Sequence, residues 1–168
     1  QPDAYTTVNP ETGSLAVHLV NTGAASTHLA LYPYAGEFDE PRHYDVVGEV
    51  DDTVALRDRV YSLTLLGPNG FRREFSGATD SAAASLDVST TVDAGTRTLV
   101  LTATNSGSRA LTVNVDGNRR KLAAHSQWTV RSVDGWYQAA VTVDEDPEFK
   151  RVLVGHIENG RTSVSQPT

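Results

Sequence analysis

The chain repeats itself, and this internal repeat limits the folds open to it more than any other feature of the sequence. Three blocks of the first half match the second half at offsets of 84, 76 and 78 residues: 8–31 on 92–115, 53–61 on 129–137, and 71–77 on 149–155. Offsets that change only at turn-like sequence are typical of two copies of one fold with loops of different length. We therefore predict a first repeat at 1–80 and a second repeat at 81–168.

The first repeat differs from the second mainly by an insert. The offset falls from 84 to 76 because residues 33–52 of the first repeat correspond to the shorter stretch 116–128 of the second. Residues that recur in both copies are best interpreted as part of the fold. The clearest of these repeat markers are Tyr61, Phe71 and Gly77, with their counterparts Tyr137, Phe149 and Gly155.

Each copy has the pattern of short strands joined by turns. Residues 14–20 alternate leucine and valine with small or polar residues, the period of two that marks a strand with one buried face. The segments 61–66 and 71–76 flank the turn sequence Gly-Pro-Asn-Gly, which predicts a hairpin. With about six or seven such strands per copy, the sequence predicts an all-β fold of two tandem immunoglobulin-like antiparallel β-sandwich modules.

Two local details fit this fold class. Asp58 lies shortly before Tyr61, and Asp134 shortly before Tyr137, as in the tyrosine corner of immunoglobulin-like domains, whose tyrosine hydroxyl bonds to upstream backbone. The alanine-containing stretch 81–86 lies between the copies and is too short for a long amphipathic helix. We predict that it is a linker.

Charge and composition exclude several classes of function. The formal net charge of −7 argues against nucleic acid and anionic membrane surfaces, both of which attract basic patches. The chain has no cysteine, so it holds neither a disulfide nor a thiolate zinc site, and no apolar run reaches the roughly 20 residues of a membrane-spanning helix. Because the chain has no methionine and begins abruptly at Gln1, we expect a fragment or a processed product.

Residues suited to catalysis or metal binding are sparse. No Gly-rich phosphate loop, nucleophile elbow or HExxH motif occurs. His18 and His28 lie on the outward sides of two strands predicted to be adjacent, where they are either a pair of metal ligands or separate solvated side chains. Since no nucleophile, base and orienting group occur together, we predict no catalytic residue, no metal and no cofactor.

Two acidic clusters and one basic cluster leave two interpretations each. The acidic clusters are either calcium sites that lack EF-hand spacing or charged, solvated turns. The basic cluster, which recurs after the hairpin in both copies, either contacts phosphate or prevents further sheet pairing at an exposed edge. For all three clusters the structural interpretation, as charged turns or as protection of a sheet edge, is the simpler. The clusters are Asp144, Glu145, Asp146 and Glu148; Glu49, Asp51 and Asp52; and Arg72, Arg73, Lys150 and Arg151.

Aromatic residues concentrate around the insert of the first repeat. Their flat faces offer stiff contact area for a sugar, a lipid headgroup or a neighbouring domain, although such rings also seal the end of a small sandwich. Since the second repeat lacks this insert, a function private to one copy is best sought here. The candidate binding residues are Tyr32, Tyr34, Phe38 and Tyr44.

A resemblance to a known family rests on two blocks, YSLTLLGPNGFRREFSG at 61–77 and GWYQAAVTVDEDPEFKRVLVGHIENGRTSVSQP at 135–167. Both are similar to the C-terminal repeats of secreted bacterial phosphocholine-preferring phospholipases C, of the non-haemolytic and haemolytic types. The resemblance extends over nearly the whole chain and includes the doubled arrangement and the NTG and NSG turns.

The resemblance implies a secreted, extracellular parent enzyme whose N-terminal catalytic domain hydrolyses the headgroup ester of phosphatidylcholine or sphingomyelin. Nothing in this chain matches that domain, so no catalytic residue carries over. The chain is then a non-catalytic C-terminal accessory region, with the catalytic domain as its partner, that acts in stability or in engaging a lipid headgroup or membrane surface. The alternative is a binding module that recognises phosphocholine or a glycan through the aromatic insert. A third hypothesis is that the chain is itself a hydrolase.

Overall fold

A computed structural model describes residues 1–158, so the part of the resemblance block at 159–167 lies outside the described residues. Among those described, no helix is long and apolar enough to cross a membrane. The strands of the first repeat are β1 (Pro2–Asn9), β2 (Ser14–Asn21), β3 (Thr27–Pro33), β4 (Arg42–Val46), β5 (Gly48–Ala55), β6 (Val60–Leu66) and β7 (Arg72–Ala78). Those of the second are β8 (Leu86–Asp93), β9 (Thr98–Asn105), β10 (Leu111–Val115), β11 (Asn118–Leu122), β12 (His125–Arg131), β13 (Trp136–Val143) and β14 (Asp146–His156).

Each repeat is a sandwich of a three-stranded and a four-stranded antiparallel layer. In the first repeat, β1, β2 and β5 face β4, β3, β6 and β7, and in the second, β8, β9 and β12 face β11, β10, β13 and β14. One hydrophobic core fills the space between the layers of each repeat. This is the two-layer arrangement of immunoglobulin-like domains, so the predicted fold class is confirmed.

The spacing of leucine and valine explains which face of each strand is buried. In β2, Leu15, Val17 and Leu19 are fully buried, while the residues between them are partly exposed. Their counterparts in β9, Leu99 and Leu101, are also fully buried. Because each such side chain contributes about 1.5–3 kcal/mol when it leaves water, the alternation determines the orientation of both strands.

A buried asparagine forms the same turn in both repeats. The Nδ2 group of Asn21 donates to the carbonyl oxygens of Ala25 (2.7 Å) and Val46 (2.9 Å), and its Oδ1 accepts the backbone N–H of Gly23. Asn105 makes the same three contacts with the corresponding part of the second repeat. The NTG and NSG sequences are therefore structural turns.

The insert of the first repeat is the loop 34–41 between β3 and β4. In the second repeat, the matching strands β10 and β11 are joined only by Asp116 and Gly117, whose φ angles are 48° and 91°. Asp-Gly with two positive φ angles is the tight turn that a two-residue hairpin requires. The predicted hairpin of the first repeat is also present, with β6 paired to β7 around residues 67–70.

The two repeats share one sheet. β7 pairs antiparallel with β14 and joins the four-stranded layers into an eight-stranded sheet with the order β11-β10-β13-β14-β7-β6-β3-β4. At the centre of this pairing Glu74 lies opposite Val152, which is its counterpart at an offset of 78, so an approximate twofold axis relates the repeats. In the other layer, β1 and β8 lie side by side.

The segment between the repeats contains a short 3₁₀ helix, Ala82–Ser85. Ala83 is buried against the core of the second repeat, and its backbone N–H donates to Asp146 at 2.9 Å. Ser85 also bonds to Asn105 and Ser106, so the predicted linker is short and fastened to the second repeat. The division of the chain at 80/81 stays a prediction.

Candidate functional site

The insert that holds the candidate binding residues is fastened to the sandwich by a buried carboxylate. Glu37 is 3% exposed and accepts hydrogen bonds from the backbone N–H groups of Ala35 (2.9 Å) and Ser62 (2.7 Å). Ser62 belongs to β6, and its carbonyl oxygen accepts the backbone N–H of Tyr34 at 2.8 Å. The conformation of the loop is therefore held by its own repeat.

Two of the four aromatic residues serve the core. Phe38 and Tyr44 pack against the hydrophobic core of the first repeat. The hydroxyl of Tyr44 and the guanidinium of Arg42 both donate to the Asp52 carboxylate, at 2.5 and 3.0 Å. The same guanidinium lies 4.6 Å over the Phe38 ring. These contacts give Phe38 and Tyr44 a packing role.

The Asp52 contacts change the acidity of both partners. Burial first, and then the hydrogen bond to Asp52, raises the pKa of Tyr44. Burial also acts to raise the pKa of Asp52, but the hydrogen bonds from Tyr44 and Arg42 outweigh it, and the pKa of the carboxyl is lowered. Asp52 therefore remains a carboxylate and Tyr44 a neutral phenol.

The other two aromatic residues lie outside the core. Tyr34 is 70% exposed in the loop. Tyr32 is partly buried in β3, opposite Thr64 of β6, on the outer surface of the eight-stranded sheet. The structure thus brings Phe38 and Tyr44 together and leaves Tyr34 as the exposed ring of the insert. Ligand binding by the four residues stays a prediction.

The prediction that His18 and His28 lie on adjacent strands is wrong. β2 belongs to the three-stranded layer and β3 to the eight-stranded sheet, because the chain crosses between layers at the Asn21 turn. Nδ1 of His18 lies 2.7 Å from Asp51. The ring nitrogens of His28 instead contact Asp45 and His43, both at 3.1 Å. Within residues 1–158, no group of three or more histidine or acidic side chains is arranged to hold a metal ion.

The carboxylates at 144–148 have protein partners of their own. Glu145 accepts the backbone N–H and the hydroxyl of Thr112, at 2.6 and 2.9 Å, and the backbone bond lowers the pKa of Glu145. Asp144 pairs with Arg119. Asp146 is 2% exposed and binds the 3₁₀ helix. The cluster therefore fastens the β13–β14 turn to its surroundings, which agrees with the structural interpretation.

The most elaborate buried polar arrangement lies where the repeats meet. Arg73 on β7 and Arg151 on β14 are 1% and 4% exposed. Nη2 of Arg73 donates to the hydroxyl of Tyr137 in the second repeat, and Nη2 of Arg151 donates to that of Tyr61 in the first, both at 2.7 Å. Each arginine also donates to a backbone carbonyl of the opposite repeat, at 3.2 and 2.9 Å. Each repeat thus supplies a buried guanidinium that hydrogen-bonds to a tyrosine hydroxyl and a backbone carbonyl of the other repeat.

The repeat markers surround these two arginines. The guanidinium of Arg73 lies 4.4 Å over the Phe71 ring, and that of Arg151 lies 4.2 Å over Phe149. Gly77 has no side chain because a Cβ there would lie 2.6 Å from the hydroxyl oxygen of Tyr61. The second repeat has the same close approach of its glycine and tyrosine, Gly155 and Tyr137.

Two interpretations of these residues are wrong. Arg73 and Arg151 do not prevent sheet pairing at an exposed edge, because they lie on the two strands that pair between the repeats. Tyr61 and Tyr137 are not tyrosine corners, because within residues 1–158 their hydroxyls bond to arginines 90 and 64 residues away and not to upstream backbone. A signal was available in the sequence. An arginine stands at the same inward position of both copies, between residues that are otherwise apolar.

Acidic residues accompany both arginines. Asp3 of β1 accepts a bond from Arg73 at 3.2 Å and another from the hydroxyl of Thr90 in the second repeat. Its counterpart Asp87 in β8 is partly buried, and burial raises the pKa of Asp87 against the opposing charges of Arg151 and His18. Burial likewise raises the pKa of Tyr137, so this phenol stays protonated beside its arginine.

The fold and the contact between the repeats define a tandem β-sandwich unit, in which arginines at matching positions of the two copies each bond to the other copy. The family model described as the C-terminal domain of bacterial phospholipase C matches residues 2–78 and 82–156. The chain therefore belongs to this family, which confirms the resemblance noted in the sequence.

Two relatives agree with this assignment. The chain is 29% identical to the non-hemolytic phospholipase C of Burkholderia pseudomallei (strain K96243), over 95% of this chain and 25% of that protein. It is 32% identical to the hemolytic phospholipase C of Pseudomonas aeruginosa, over 95% of this chain and 24% of that protein. The chain thus spans about a quarter of the length of either relative.

Proposed function

We propose that the chain is a non-catalytic accessory region of a secreted bacterial phospholipase C, and that it stabilises the enzyme or helps it engage lipid surfaces. The observation that carries the proposal is the use of the polar side chains. The buried arginines, the carboxylates at 144–148 and the Asp52 group are each engaged by partners within the double sandwich. None of these contacts joins a nucleophile to a base and an orienting group, which is the arrangement that catalysis requires.

The partner proposed for this region is the catalytic domain of the same enzyme. About three quarters of the length of each relative lies outside the matched region, and both relatives are named phospholipase C. By the family resemblance, the parent would hydrolyse the headgroup ester of phosphatidylcholine or sphingomyelin outside the cell. The proposed units of the accessory region are 1–80 and 81–168.

Removal of residues 1–168 from the parent enzyme tests this function. We expect the shortened enzyme to have a lower Tm, or to lose more activity on phosphatidylcholine vesicles than on a soluble chromogenic phosphodiester. The comparison separates the two roles, since a stability defect lowers both activities together and a surface defect lowers only the first. Full activity on both substrates with an unchanged Tm would refute the proposal.

A second candidate function rests on one observation, the 70% exposure of Tyr34. An exposed ring on a loop held by Glu37 offers a preformed surface for a choline headgroup or a sugar. We expect phosphocholine or an oligosaccharide at millimolar concentration to shift the amide NMR signals of loop 34–41, and Tyr34→Ala to abolish the shift. No response from the unsubstituted chain would reject this candidate.

A further inference from the structure

We propose that the face through which the repeats meet is a self-recognition surface, and that a second repeat released from its neighbour binds another copy of the second repeat through it. The first repeat has the same contacts, but one residue on the axis makes its pairing with itself less favourable. The partner of this surface is therefore another copy of this chain.

The contact between the repeats is symmetric. The β7–β14 pairing is centred on Glu74 and Val152, which correspond to each other in the two copies. Contacts on either side of this centre are exchanged by the twofold axis, as in the isologous interface of a homodimer. An interface of this kind presents the same patch on both partners.

The two sides of the contact also match in their chemistry. The arginine–tyrosine contacts use Arg73 with Tyr137 and Arg151 with Tyr61, so both copies carry one donor and one acceptor of the same types. Two second repeats would therefore form both contacts from Arg151 and Tyr137 alone. Each buried guanidinium keeps a partner, which is the condition for burying such a charge.

The second layer of the sandwich is also compatible with self-pairing. Between the repeats, Asp3 binds Arg73 of its own repeat and the hydroxyl of Thr90 in the other. The second repeat carries an aspartate at the matching position, Asp87, which is partly buried on β8 and feels the charge of Arg151. A pair of second repeats thus contains an aspartate, an arginine and a threonine on each side of the axis.

The residue on the axis separates the two homotypic pairs. Two second repeats would place Val152 opposite Val152, and two first repeats would place Glu74 opposite Glu74. Like charges directly opposite each other on neighbouring strands are destabilising, whereas β-branched pairs are favourable. The guanidinium of Arg72 lies 3.1 Å from the Glu74 carboxylate on the same strand, so it is already paired with the Glu74 of its own repeat. We infer that Glu74 directs the first repeat toward the second.

A cleavable form of the full chain tests this inference. A protease site is inserted between Asp80 and Ser81, and the cut chain is unfolded in urea and refolded so that every pair can form. Native mass spectrometry then counts the pairs. We expect the mixed pair and the pair of second repeats, with the pair of first repeats roughly five times rarer than the latter, which corresponds to about 1 kcal/mol of cross-strand repulsion. The difference should shrink in 1 M salt, where charges are screened.

One variant and one matched control complete the experiment. Glu74→Val should raise the pair of first repeats to the level of the pair of second repeats. Glu40→Val makes the same change in the insert, away from the axis, and should leave the populations unchanged. The proposal is overturned if the cut repeats occur only as monomers, if no pair of second repeats forms, or if pairs of first repeats are equally abundant before Glu74 is replaced.

Discussion

Replacing Tyr61 with phenylalanine should destabilise both repeats together. The change removes only the hydroxyl, which accepts a hydrogen bond from Nη2 of Arg151 at 2.7 Å. Tyr61 is 2% exposed. A buried guanidinium then loses one partner, and a hydrogen bond to a charged group contributes about 1.5–3 kcal/mol. For 168 residues that unfold as one unit, this corresponds to a fall in Tm of roughly 3–12 °C.

Two spectroscopic probes show whether the loss reaches the second repeat. Both tryptophans, Trp128 and Trp136, belong to the second repeat, so their fluorescence follows that repeat during urea unfolding. Far-ultraviolet circular dichroism follows the strands of both repeats. If the reciprocal arginine contacts couple the copies, the two probes have the same midpoint in the unsubstituted chain and in Tyr61→Phe.

The chain offers a matched control for this experiment. Tyr34→Phe removes the same atom from the same residue type in the same repeat, but at a position that is 70% exposed. We expect a change within about 0.5 kcal/mol, as for surface substitutions in general. The two repeats are not coupled in this way if Tyr61→Phe moves the dichroism transition and leaves the tryptophan transition where it was.

Three further changes test other contacts. Gly77→Ala places a Cβ 2.6 Å from the Tyr61 hydroxyl oxygen and should lower the free energy of unfolding in urea by about 1–3 kcal/mol; an unchanged midpoint would contradict the close packing. Burial raises the pKa of Asp87, so its stabilising contribution is full below the unfolded pKa of about 3.9 and is lost as pH rises through the folded pKa. Asp87→Asn should therefore gain stability relative to the unsubstituted chain from about pH 3.5 to pH 7, and a constant difference would refute this assignment. Asn21→Ala removes three hydrogen bonds of a buried turn and should lower stability by about 2–3 kcal/mol in thermal unfolding, whereas a loss below about 0.5 kcal/mol would count against that role.

The parts of the fold that depend on neighbouring residues could be predicted from the sequence. The alternation in β2 predicts its buried face, because successive side chains of a strand point to opposite sides. The Gly-Pro-Asn-Gly turn predicts the β6–β7 hairpin, because its residues accept the dihedral angles of a reversal. The change of offset likewise places the extra loop in the first repeat.

The contact between the repeats could not be predicted in this way. Tyr137 and Arg73 are 64 residues apart, and they meet only because two particular sheet edges pair. An arginine considered alone favours solvent, since burial of a guanidinium requires partners, and here those partners belong to the other copy. His18 and His28 show the same limit. They follow each other closely in sequence but lie in different layers.

The candidate site was predictable in part. The position of the aromatic insert followed from the comparison of the two copies. The different roles of its aromatic residues could not be predicted, because the packing of Phe38 and Tyr44 depends on Arg42 and Asp52, which come from β4 and β5. Sequence proximity could not separate these two rings from the exposed Tyr34.

The antiparallel pairing of β7 with β14 also limits how many copies such an array can contain. Solenoid proteins grow by translation, since every unit leaves a free face for the next. Here β7 and β14, the last strand of each copy within residues 1–158, pair with each other, so the contact closes on itself after two units. A third copy added by gene duplication would find that face occupied. It would have to bind elsewhere or displace a repeat that is already in place.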